Sequence, residues 1–103
     1  MSDAHLEISS RRAGTAMLIT ASGELDMASA PLLRDSIDRD SVDHAELIVL
    51  DLAGVSFIDS SGLHALMALH DDLGERLRIV ASPVCARLFE LTGVAGVLPL
   101  AAS

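Results

Sequence analysis

The sequence contains no lysine, no tryptophan and no tyrosine, one cysteine, and only two aromatic residues, both phenylalanine. Each absence removes a class of function. Without lysine there is no G-x-x-x-x-G-K-S/T phosphate loop, and the glycines never fall as G-x-G-x-x-G, so both nucleotide-binding fingerprints are missing. A single thiol, Cys85, makes no internal disulfide and no cysteine-rich zinc or iron–sulfur site, which fits a reducing compartment. The seven basic residues, all arginine, face 15 acidic ones, and a formal charge of −8 repels nucleic acid. No stretch approaches the ~18 to 20 consecutive apolar residues of a membrane span, so membrane insertion is not expected. The opening MSDAHLEISSRRAG lacks the basic-then-apolar pattern of a secretory signal, and the expected location is the cytoplasm.

What is present suits one folded domain over residues 1–103. Half of the residues are hydrophobic, enough to bury a core, and no low-complexity linker or repeat divides the chain. Between Glu24 and Glu46 the acidic residues Glu24, Asp26, Asp35, Asp38, Asp40, Asp43 and Glu46 stand against Arg34 and Arg39, a local balance of −5. Such a run is a solvated helix face or a surface for a basic protein partner.

Leu6–Ser10 and Ala16–Ala21 are short β-prone runs around Arg11, Arg12, Ala13 and Gly14, which predicts an opening hairpin. Gly23 is expected to end its second strand. Ser29 with Pro31 marks a helix start, and Ala30, Leu33 and Ile37 share a helical face. The continuous run Leu47, Ile48, Val49, Leu50 predicts a central strand covered on both faces. After Val55–Ile58, the residues Leu63, Leu66, Met67, His70 and Leu73 recur at helical spacing up to a stop at Gly74. Leu77–Ala81 reads as a strand, and Ser82 and Pro83 open a third helix with Val84, Leu88 and Leu91 on its face, closed by Thr92 and Gly93. Val94–Leu100 is a weak last strand. The order β-β-α-β-α-β-α-β specifies an α/β fold, a mixed sheet covered by helices, because strands joined through helices become parallel neighbours.

Asp59, Ser61 and His64 lie close together, but the G-x-S-x-G elbow of a serine hydrolase fails, since Ile58 and Asp59 stand two residues before Ser60 and Ser61. An acylhydrolase is therefore not expected. His64, His70, Asp71 and Asp72 lack metal-binding H-x-x-x-H or E-x-x-H spacing. Cys85 reads as a small apolar filler. There remains Asp59-Ser60-Ser61-Gly62 before an apolar helix. One of its polar residues serves as the N-cap, and the others sit near the positive helix end, where a phosphoryl group is electrostatically favoured.

Three segments, Gly23-Glu24-Leu25-Asp26, Asp51 through Leu63 (DLAGVSFIDSSGL) and Ser82 through Gly93 (SPVCARLFELTG), occur in register and together resemble the STAS domain of bacterial anti-sigma factor antagonists. The resemblance runs from the first hairpin to the last strand. It implies that the second serine of D-S-S-G, Ser61, is the phosphorylated residue. It also implies partner switching, in which the unphosphorylated antagonist binds an anti-sigma factor that is also its serine kinase and so frees the sigma factor. A serine phosphatase restores that form. ATP and Mg2+ belong to the kinase, so this chain needs no cofactor and is itself no enzyme.

The implied partner surface comprises Glu24, Asp26, Asp59, Ser60, Ser61, Gly62 and His64. The chain departs from the family at His64, where glycine is common, and at Ala86, where a basic residue is common. It stops at Ser103, where many members carry a further helix, so that helix is absent or the domain is a short variant. STAS domains also resemble accessory parts of membrane transporters and sensory assemblies, which bind a protein or small ligand without phosphorylation. The complete D-S-S-G favours the regulator.

Overall fold

The structure, a computed structural model, describes residues 5–37 and 42–101. Strand β1, Leu6–Ala13, turns through Gly14 and Thr15 into β2, Ala16–Leu25. Helix α1, Ala30–Asp35, leads toward the central strand β3, Leu47–Ile58. Helix α2, Ser60–Leu73, is followed by a 3-10 turn, by β4, Leu77–Val80, and by helix α3, Pro83–Thr92. The sheet order is β1-β2-β3-β4; β1 and β2 are antiparallel, while β2, β3 and β4 are parallel. This is the α/β architecture expected from the sequence, and among the described residues no helix is long and apolar enough to cross a membrane.

The strand register sorts side chains between two faces. On one face the rows Met17–Ile48–Leu77 and Ile19–Leu50–Ile79 are buried, together with Leu63, Leu66, Leu69 and Leu73 of α2 and Cys85 and Phe89 of α3. On the other, Leu18, Val49, Thr20, Asp51 and Val80 are half-buried and Arg78 is exposed. The short axis of 22 Å holds one sheet and one helical layer, since layers pack about 10 Å apart. The run Leu47–Leu50 is thus an inner strand as expected, but covered on one face only, and Leu47 is exposed.

Several expectations are corrected. The hairpin turn is shorter than Arg11–Gly14, because Arg11 and Arg12 pair with Leu18 and Met17 inside the ladder. Gly23 does not end β2. The strand continues to Leu25, and Gly23, at φ 115°, is required because β1 begins so close that any side chain there would meet the His5 carbonyl. In α1, Ala30 and Leu33 are buried and Ile37, just past its end, packs partly against the core. On α3 the covered residues are Cys85 and Phe89, while Val84 and Leu91 are exposed and Leu88 is half-buried. Both stripes have helical spacing, and the one that includes the large Phe89 faces the sheet.

The last strand is reduced to one parallel bridge between Ile79 and Leu100. Val94 and Ala95 donate N–H groups to the Phe89 carbonyl and Val97 and Leu98 to that of Val94, so the chain turns where the strand was expected. Pro99 has no N–H for a ladder, but its carbonyl accepts from Ile79 at 2.9 Å.

Cys85 is a core filler, as expected. Burial pushes its thiol above the ordinary value, and hydrogen bonding to Ser82 only partly offsets this. Above pH about 8.5 the unfolded chain loses the Cys85 proton while the folded chain keeps it, so stability falls with rising pH. Urea unfolding across the alkaline range is expected to show this fall in the native sequence and a smaller one in Cys85→Ala.

Candidate functional site

The site lies where the parallel strands β2 and β3 end. Leu25 and Ile58 are paired there, and the Asp59 N–H donates to the Leu25 carbonyl at 3.2 Å, tying the two chain reversals together. Asp59 has extended backbone geometry and caps α2: its Oδ1 accepts from the backbone N–H of Ser61 at 2.9 Å and of Gly62 at 3.1 Å. The expectation that one of the polar residues is the cap is met, and that residue is Asp59. Its negative charge also opposes the positive end of the helix.

Ser60 begins α2 and is exposed, Ser61 is half-buried, and Gly62 is buried. His64 is exposed one turn further along. Gly62 lets the first turn of α2 press onto the strand ends, since a Cβ there would lie 2.6 Å from the Leu25 carbonyl oxygen and 3.0 Å from Ile58 Cγ1.

The loop after β2 is held by its own side chains. Asp26 Oδ1 accepts from the Ala28 and Ser29 N–H groups at 3.0 Å each. The Ser29 hydroxyl donates to the Glu24 carbonyl at 2.7 Å and accepts from the Asp26 N–H at 2.9 Å. Ser29 therefore does not cap α1 with its side chain, as its position before Pro31 had suggested; it closes the loop. Glu24 is half-buried opposite Phe57 in the ladder, and its N–H donates to the His5 carbonyl.

The structure thus brings Glu24 and Asp26 to the same sheet edge as Asp59, Ser60, Ser61, Gly62 and His64. Asp38, Arg39 and Asp40 of the acidic run lie outside the described residues. Two residues at this edge were not singled out from the sequence. Met27, in the turn after β2, is 77% exposed, and Phe57, two residues before Asp59, is 46% exposed. The signal available was the large apolar residue directly after Gly23-Glu24-Leu25-Asp26 and the aromatic two positions before Asp59. Among the described residues no group of three His, Cys, Asp or Glu side chains could hold a metal ion.

Replacing Asp59 by alanine leaves two N–H groups without their acceptor. The expected loss is about 1 kcal/mol, read from urea unfolding, with Asp59→Asn losing less because an amide oxygen still accepts.

The model of the STAS domain matches residues 7–103. An anti-sigma-B factor antagonist of Listeria monocytogenes is 28% identical over 80% of this chain and 75% of its own length. The anti-sigma-F factor antagonist RsfB of Mycobacterium tuberculosis is 30% identical over 75% of this chain and 66% of its own. The crystal structure of an anti-sigma factor antagonist from Mycobacterium paratuberculosis superposes with a TM-score of 0.83 at 31% identity, covering 95% of this chain and 86% of that one. With a match across nearly its whole length and the same fold, the chain belongs to the STAS domain family.

Proposed function

We propose that this protein is an anti-sigma factor antagonist that works by partner switching. Its unphosphorylated form binds an anti-sigma factor that is also a serine kinase, and so releases a sigma factor. Phosphorylation of Ser61 ends that binding, and a serine phosphatase reverses it. The chain is a substrate and a ligand in the cytoplasm, not a catalyst, and it works without a cofactor.

The observation that carries this reading is the position of Ser61. It stands on the first turn of α2, at the open edge of the parallel strands, with its backbone fixed by Asp59. Phosphate added there meets the positive end of the helix, which offsets its charge within the domain. Glu24, Asp26, Asp59, Ser60, Gly62 and His64 border that position, and exposed Met27 and Phe57 supply apolar area for a protein partner. The hydroxyls of two other candidates are engaged: Ser56 donates to the Gly23 carbonyl at 3.2 Å and Thr92 to that of Leu88 at 2.7 Å.

Incubation with the cognate kinase and ATP, followed by peptide mapping, tests the assignment. One phosphoryl group is expected, on Ser61. Ser61→Ala should abolish labelling, whereas Ser60→Ala should still permit some. Phosphate found on Ser60, Ser56 or Thr92 would overturn the assignment.

A further inference from the structure

We propose that His64 is a positioning residue for phosphorylated Ser61, its imidazolium pairing with the phosphate across one turn of α2. The inference rests on Ser61 being the phosphorylated residue. Ser61 and His64 are three residues apart on one helix, a spacing that sets Cβ atoms about 5–6 Å apart on a shared face. Ser61 is half-buried and His64 exposed, so both residues of this turn reach solvent.

The surrounding charge makes a cation there consequential. Glu24 and Asp26 at the end of β2 and Asp59 at the end of β3 rim the first turn of α2, and each repels a dianion. The arginines of the sheet lie at its other edge: Arg11 and Arg12 pair with Leu18 and Met17 at the start of β2, and Arg78 pairs with Val49, with Arg76 just before it. Arg34 is in the last turn of α1, and Arg87 belongs to α3. On α2 itself the other basic side chain is His70, more than two turns beyond Ser61. Among the described residues, His5, whose carbonyl accepts from the Glu24 N–H, is the other basic group at this end of the sheet, and His64 is the one that α2 supplies within a turn of Ser61.

The test uses the full chain with phosphoserine incorporated at position 61 during synthesis, which needs no kinase, and follows its phosphorus NMR resonance against pH. A neighbouring cation favours the dianion over the monoanion, so the phosphate's titration midpoint should be lower than in His64→Gln by about 0.3 of a pH unit. His64→Arg, which keeps a cation at every pH, should restore the lower midpoint. The difference should shrink in about 0.5 M salt, because an exposed ion pair is screened. Equal midpoints in all three chains, or a difference indifferent to salt, would overturn the pairing. Phosphate mapped away from Ser61 by the kinase experiment would instead overturn the reading on which it rests.

Discussion

Ser61→Ala is expected to bind the anti-sigma partner about as well as the unmodified chain, and Ser61→Asp at least roughly tenfold more weakly. The argument compares one charge in two settings. Within the domain, a carboxylate at position 61 enters the first turn of α2, where the helix dipole offsets repulsion from Asp59. Ser61 is only half-buried, and the new carboxylate keeps access to water. Both variants should therefore melt within a few degrees of the native chain.

Across an interface the balance changes. A surface that accepts Ser61 beside Met27 and Phe57 strips water from the added charge without offering it a partner, and an unpaired buried charge costs far more than a hydroxyl. Each tenfold of affinity is about 1.4 kcal/mol, so a modest part of that cost suffices. Isothermal calorimetry of the two variants and of the kinase-phosphorylated chain measures the switch. Ser61→Asp and phosphorylated protein both binding as tightly as Ser61→Ala would remove charge repulsion from the mechanism.

The sequence makes some parts of this arrangement legible and hides others. The stripe Leu63, Leu66 and Leu73 ending at Gly74 marks α2 because a buried helix face repeats every three or four residues. The acid before two serines marks its cap because few residue types satisfy free N–H groups. Asp51 and Gly54 look like a break in the apolar pattern, yet β3 runs through them to Ile58, because β2 shifts register twice alongside and keeps pairing. The two candidate stripes of α3 differ only in which one meets the sheet, a tertiary matter that helical spacing does not encode. Ser29 looks like a cap because of Pro31, and only the fold reveals that Asp26 and Glu24 take its hydroxyl. Met27 lies in the turn after β2 and Phe57 near the end of β3, both outside the core, and composition cannot distinguish them from core residues.

Gly62→Ala is expected to lower stability by roughly 2 kcal/mol, against the usual preference of a helix for alanine. Helix propensity alone favours alanine by about 1 kcal/mol. The added Cβ, however, would lie 2.6 Å from the Leu25 carbonyl oxygen and 2.8 Å from Leu25 Cγ. That carbonyl is backbone at a paired strand end, and it accepts the Asp59 N–H, so it does not yield without loosening the anchor of the cap. Relief requires the first turn of α2 to lift from β2, carrying Ser61 and His64 with it. Loss of stability and loss of kinase labelling should therefore appear together. Gly96→Ala is the matched control: an exposed glycine, with nothing within 4 Å of its Cβ position, should accept the methyl without measurable cost. Thermal melts and labelling rates of both variants decide the matter. A Gly62→Ala chain as stable as the native one and labelled at the same rate would mean that the strand end yields and that close packing of α2 does not hold the phosphorylation site in place.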